Sequence, residues 1–201
     1  MRPLILIPCK SFATGKSRLS PVLSATERDA LCRRFLGDTL ALALDLVAND
    51  EVRVVSSDPA VARAAAAIGI DCEVDDDTGL NTALAGAIGA FLASRSDGTD
   101  RDVLILPIDL ALATPTAVAS VLSATADLVL VPDRSGHGTN MLRLRGAIAP
   151  RFNFQFGANS FPMHVQEAER LRLAVEVLRD ANLGFDVDTP ADYSAWMGMR
   201  G

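Results

Sequence analysis

Lysine is almost absent from this chain. Of its 19 cationic side chains only Lys10 and Lys16 are lysines, both in one short stretch with Arg18 close behind. Arginine serves nearly everywhere else, so the pairing is not a by-product of composition. A compact ammonium on a flexible stem suits a phosphate as a point charge. Cysteine is scarce too. Cys9, Cys32 and Cys72 are odd in number and far apart, which gives neither a disulfide framework nor a CxxC clip; they read as buried reduced thiols. With only His137 and His164, and no cysteine or second histidine at ligand spacing, the chain argues against a zinc site.

Long apolar runs are missing as well. The longest uninterrupted one, Ala83–Ala93, falls well short of the ~20 residues that span a bilayer. Leu4–Ile7 is cut off by Pro8 and Lys10, too early for a secretory segment. A cytoplasmic protein with no membrane partner is expected. Net positive charge is lacking: the formal sum is −6, whereas a nucleic-acid binder needs a basic field to displace counterions, so no nucleic-acid partner is expected. What is present is a globular composition, 49% apolar with mean hydropathy +0.24 over 201 residues, enough for one domain spanning 1–201 with a proper core.

Strand and helix patterns alternate. Leu4–Ile7 reads as a strand, followed by a polar loop to about Ser20. Ser24 and Glu27 have capping-box spacing, and behind them Leu31, Phe35, Leu36, Leu40, Leu44 and Val47 recur at helical spacing. Val52–Val55 is the next strand; Asp58, Pro59 and Gly69 bracket a helix. Asp71–Val74 reads as a strand, Leu80–Ser94 as a helix, and Ser96–Asp100 as a loop. Val103–Leu106 is a buried-type strand, Thr114–Ala124 a helix, and Asp127–Val131 and Asn140–Leu144 are strands. Pro162–Leu171 is a helix, Arg172–Val177 alternates like a half-exposed strand, Phe185–Asp188 is extended, and Pro190–Met197 closes as a helix. Such βα alternation predicts an α/β fold: a three-layer, Rossmann-like, mostly parallel sheet with helices on both faces. Ligands then bind at the carboxyl ends of the strands. Lys10, Lys16 and Arg18 follow the first strand, Ser56 to Asp58 the second, and Asp109 the fourth, all on one rim.

Two motifs fail on inspection. Gly15-Lys16-Ser17 resembles the end of a P-loop, but Lys10 stands where the first glycine belongs and Pro21 delays the helix. Gly136-His137-Gly138 begins like a dinucleotide fingerprint, yet Met141 replaces the third glycine and a strand follows. The carboxylates carry more. Asp109 and Asp188 each end an apolar extended segment, and alternation sends Asp186 to the same face as Asp188. Either Asp188 merely caps the last helix, or Asp109 and Asp188 hold a hard divalent cation; Mg²⁺ commonly takes one or two carboxylates and fills its octahedron with water and phosphate oxygens. Asp75–Asp77 lacks calcium-loop spacing and reads as a solvated loop. The segment Phe156 to Phe161, ahead of a helix, suits an anion cradle, an N-cap by Ser160, or both. His137 lies in a glycine loop open to a ligand, and His164, in the first turn of a helix, is equally readable as structural.

At this point the residues resemble a known family. Ile7-Pro8-Cys9-Lys10 with Gly15-Lys16-Ser17-Arg18-Leu19 looks like the opening of the phospho-hydroxyacid guanylyltransferases of coenzyme F-420 biosynthesis. Leu106-Pro107-Ile108-Asp109-Leu110, Gly138-Thr139-Asn140, Phe156 to Phe161 with His164, and Phe185-Asp186-Val187-Asp188-Thr189-Pro190 continue the match in order. The resemblance implies a single-domain GT-A-like nucleotidyltransferase. Lys10, Lys16 and Arg18 would hold the GTP phosphates, and Asp109 and Asp188 would bind Mg²⁺. Thr139, Gly157 and Ser160 would hold the phosphorylated acid (2-phospholactate, phosphoenolpyruvate or 3-phosphoglycerate), with Asn81 near the nucleoside. The chain departs from the family at Ala111, where proline is usual, and at Asn159 in a variable loop. The competing expectations are a same-fold enzyme for a sugar phosphate or a molybdopterin-type acceptor, and a non-catalytic nucleotide-binding protein. The former usually opens with a Gly-Gly loop, which Pro8-Cys9-Lys10-Ser11 lacks. The helix faces are apolar enough for a homodimer.

Overall fold

The apolar stretch Leu4–Pro8 forms β1 at the middle of a sheet, with its side chains divided between two cores. This is seen in a computed structural model that describes residues 3–74, 79–94 and 101–199. Ile5 and Ile7 enter one core and Leu4 and Leu6 the other, as the two-residue period of a strand buried on both faces requires. The remaining strands are β2 (Val52–Ser56), β3 (Asp71–Val74), β4 (Val103–Ile105), β5 (Leu128–Pro132), β6 (Thr139–Leu144) and β7 (Val175–Val177). Their order is β3-β2-β1-β4-β6-β5-β7, parallel except that β6 runs against both β4 and β5.

The helices are α1 (Ala25–Leu46), α2 (Pro59–Ala66), α3 (Leu80–Ala93), α4 (Pro115–Ser123), α5 (Ser160–Leu171) and α6 (Pro190–Gly198). Leu36 and Leu40 of α1, Val61 of α2 and Val118 of α4 pack with Ile5 and Ile7; Leu84, Ile88 and Phe91 of α3 and Ala168 of α5 pack on the opposite face. A third, smaller cluster joins Phe35 of α1 to Leu19, Phe185, Val187 and Trp196 of α6. That cluster seats the loop after β1 against the segment that carries Asp186 and Asp188.

Local signals explain the boundaries. Ser24 and Glu27 form the reciprocal capping box of α1, and Asp58 accepts the Ala60 amide to start α2, with Pro59 at its first position. The extended reading of residues 172–177 shortens to β7: Arg172 adopts a left-handed conformation (φ 57°) that ends α5, and all three β7 residues are exposed at the sheet edge. No strand forms at Phe185–Asp188, because the Val187 amide bonds to the Asp109 carbonyl rather than to a sheet partner. Ser160 does not cap α5. Asn159 stands at the cap with φ 57°, and Ser160 is already inside the first turn. The Asp75–Asp77 and Ser96–Asp100 segments lie outside the described residues.

The reversed strand decides where Thr139 lies. Because β6 opposes β5, its first residue, Thr139, pairs with Pro132 at the end of β5. Thr139 thus reaches the rim where the parallel strands end.

Candidate active site

The loop after β1 is held by two apolar anchors, Phe12 and Leu19, which are 1% and 0% exposed. Asp58 fixes the first anchor: one carboxylate oxygen accepts the Phe12 amide at 3.1 Å while the other caps α2 at Ala60 (2.8 Å). The Ala60 amide leads in holding this carboxyl below its ordinary pKa. Gly15 makes the loop tight. Its amide donates to the Ser11 carbonyl at 2.7 Å, and a Cβ there would lie 2.8 Å from Cys32 Sγ. Between the anchors, Lys16 takes a left-handed backbone conformation (φ 51°) that turns its side chain inward.

Lys16 Nζ donates to Asp109 Oδ2 at 2.7 Å and to Asp188 Oδ1 at 2.6 Å. Burial opposes the charged ammonium, but the two carboxylates outweigh it and raise the Lys16 pKa above its ordinary value. Arg18 reaches the other Asp188 oxygen at 3.4 Å from a largely exposed position, and Lys10 is exposed at the loop's entry. The fold therefore brings together Lys16, Arg18, Asp109 and Asp188. Asp188 is not a helix cap; Thr189 and Asp192 form the capping box of α6 and leave the Asp188 carboxylate to the site.

Asp186 joins this group. Burial first, then the Asp109 charge, pushes its pKa up, and its Oδ1 accepts from Asn140 Nδ2 at 3.3 Å. Sequence alternation put Asp186 on the same face as Asp188 without assigning it to the site; its contact with Asn140, remote in sequence, has no local signal. Asp109 and Asp188 both contact one nitrogen, so two hard oxygen donors from distant segments converge on one cation-sized point. That is the donor chemistry a divalent cation such as Mg²⁺ takes. No described group of three or more acidic, histidine or cysteine residues has the arrangement of a metal centre, so the pair would supply two ligands and leave the rest to water and phosphate.

Beside the acids lies a buried polar network. Thr139 donates its amide to Ser160 Oγ at 2.8 Å, and Thr139 Oγ1 lies 2.9 Å from His164 Nδ1. His164 is fully buried, and burial lowers its pKa to about 4. Its Nε2 accepts the Gln155 amide at 2.9 Å. The same irregular segment is held by Glu167, one turn along α5, which accepts the Asn153 amide. Asn81 of α3 accepts the Phe156 amide at 2.8 Å and donates to the Phe156 carbonyl at 3.1 Å. Asn81 thereby spends one donor and one acceptor on the loop and keeps one of each. Gly157, exposed with φ 139°, follows directly. The His137 ring is exposed, while its carbonyl accepts the Phe161 amide and docks the start of α5. His164 was legible as lying in the first turn of a helix, but its role, with Glu167, in pinning residues 153–156 was not, since that segment has no periodicity.

Sheet order and the single reversed strand define a fold of the GT-A-like nucleotidyltransferase type. A protein of Desulfovibrio desulfuricans assigned to the nucleotide-diphospho-sugar transferases superposes with a TM-score of 0.77 at 21% identity, covering 95% of this chain and 84% of its own. Residues 3–200 match the family described as guanylyl transferase CofC like, and the chain belongs to that family. It is 35% identical to the phosphoenolpyruvate guanylyltransferase of Sphaerobacter thermophilus, over 98% of this chain and 94% of that protein. It is also 35% identical to the 2-phospho-L-lactate guanylyltransferase of Methanothermobacter thermautotrophicus, over 96% and 82%.

Proposed function

We propose that the protein condenses GTP with a phosphorylated hydroxyacid of the phosphoenolpyruvate or 2-phospholactate type, releasing pyrophosphate, in a Mg²⁺-dependent reaction. The observation that carries this reading is the convergence of Lys16, Asp109 and Asp188 at the end of the parallel strands, beside the Thr139–Ser160–His164 network. A phosphate oxygen of the acid attacks the α-phosphorus of GTP; a new P–O bond forms and the α–β anhydride bond breaks. The attacking monoester is already largely ionised at neutral pH, so no general base is needed. That agrees with His164, the imidazole in this network, being buried and neutral.

The difficulty is Coulombic, since two polyanions must approach within bonding distance. A divalent cation held by Asp109 and Asp188 would screen that repulsion and stabilise charge on the leaving pyrophosphate. Lys10, Lys16 and Arg18 sit on the loop that receives the GTP phosphates, where fixed positive charge favours the transition state. Thr139, Gly157 and Ser160 hold the acid, and Asn81 steadies the loop facing the nucleoside. The test is pyrophosphate release from GTP in the presence of Mg²⁺ with each of phosphoenolpyruvate, 2-phospholactate and 3-phosphoglycerate. One acid should support turnover that a chelator abolishes; no release with any of the three rejects the substrate class.

A further inference from the structure

We propose that His164 is a positioning residue that forces the Thr139 hydroxyl to act as a proton donor toward the anionic acid substrate. The inference rests on the acid-binding role given to Thr139 and Ser160 above. A backbone amide can only donate, so the 2.9 Å contact from Gln155 requires a bare lone pair on His164 Nε2. A fully buried imidazole with no acid bonded to it among the described residues stays neutral, and its one proton then resides on Nδ1. That proton points at Thr139 Oγ1, 2.9 Å away, so the threonine oxygen is the acceptor and its own hydrogen must turn elsewhere.

Ser160 obeys the same logic. Its Oγ accepts the Thr139 amide at 2.8 Å, which leaves the serine hydrogen to donate. Among the described residues no acceptor takes either hydrogen. Two adjacent hydroxyls at the strand-end rim are thus both set as donors, one by a side chain and one by a backbone amide. Each oxygen keeps one lone pair, but both hydrogens are free to donate, and two adjacent free donors suit an anion. The ring is itself held in orientation by Phe156, which meets it edge to face at 4.9 Å, and by Phe152 at 5.8 Å.

Two substitutions separate the contacts, because an asparagine amide overlays Nδ1 and a glutamine amide overlays Nε2. His164→Asn keeps the donor to Thr139 and loses the Gln155 acceptor; His164→Gln does the reverse. His164→Gln should raise KM for the acid at least about tenfold, the effect of removing one fixed hydrogen bond to a charged group, with KM for GTP unchanged. His164→Asn should stay within about threefold of wild type for the acid, despite lower thermal stability from the unpaired Gln155 amide. Parallel changes in both variants, or equal changes for both substrates, would overturn the proposal. The tautomer is checked independently in the wild-type protein by two-bond ¹H–¹⁵N NMR, where a protonated Nε2 would also overturn it. Absence of turnover with every acid would instead reject the proposed substrate class and leave the NMR result standing.

Discussion

The Val187 amide donates to the Asp109 carbonyl at 3.1 Å, so a backbone contact joins the two loops that carry Asp109 and Asp188. The acid pair is therefore aligned by main chain and by the apolar seat under Phe185 and Val187, rather than by the carboxylates themselves. Neutralising either acid should leave the fold in place. Asp109→Asn and Asp188→Asn should each lower kcat on the order of 100-fold or more, the scale seen when a group stabilising transition-state charge is removed. Each variant keeps one carboxylate against Lys16, so a cost of about 1 kcal/mol would move Tm by only roughly 2–4 °C. Near-normal turnover in both variants would remove the metal role from the pair.

Lys16 is the one cation of its loop that reaches both acids from a nearly buried position. Lys16→Met keeps much of the apolar stem and removes only the charge. Turnover should fall at least about tenfold, because the two carboxylates then face each other and the phosphates unscreened. Arg63→Ala, at an exposed position on α2, is the matched control and should be close to wild type. Equal effects would mean that Lys16 merely neutralises acids.

Asp58 serves two elements at once, and serine can separate them. Asp58→Ser retains a hydroxyl able to cap α2 but lacks a second oxygen for the Phe12 amide. It should preserve most of the stability while raising KM for GTP. Asp58→Ala loses both contacts and should cost about 1 kcal/mol of stability in addition. Comparing denaturation curves with GTP kinetics checks the split; identical kinetics for Asp58→Ser and wild type would show that the Phe12 contact does not shape the loop.

How far the sequence carried differs between elements. The capping box of α1 and the proline starts of α2 and α6 named their helices, since those signals are local, whereas the Thr189–Asp192 box of α6 was not read and Asp188 was weighed as its cap. The concentration of both lysines in one loop pointed at Lys16, and alternation paired Asp186 with Asp188. Neither could show that Lys16 lies between Asp109 and Asp188, because that geometry depends on a left-handed residue and on a loop-to-loop bond from Val187. The same limit hid the 153–156 segment. Its amides are satisfied by side chains from α3 and α5, so neither composition nor period marks it. Ser160 looked like a cap on spacing alone and was displaced from that position by Asn159, which adopts the left-handed conformation instead.

His164 also leaves a signature in stability against pH. Burial lowers its folded pKa to about 4, with the Glu167 charge acting weakly the other way, against an ordinary value of 6.5. Between those two values the unfolded chain binds a proton that the folded chain refuses, so stability falls as pH drops from about 6.5 toward about 4 and is level above that window. At pH 4.5 the loss from this one group should be about 2–3 kcal/mol. Thr139 and the Gln155 amide explain why the fold refuses the proton: a doubly protonated ring would press Nε2–H against an amide N–H and bury an uncompensated charge. Urea denaturation of the wild type and of His164→Asn at pH 7 and pH 4.5 isolates the contribution, because carboxylates shared by both proteins cancel in the comparison. The variant should be less stable at pH 7 yet lose less on acidification. Equal losses in the two proteins would mean that His164 titrates normally in the fold, and the neutral buried imidazole, with the hydroxyl polarity it imposes, would fall with it.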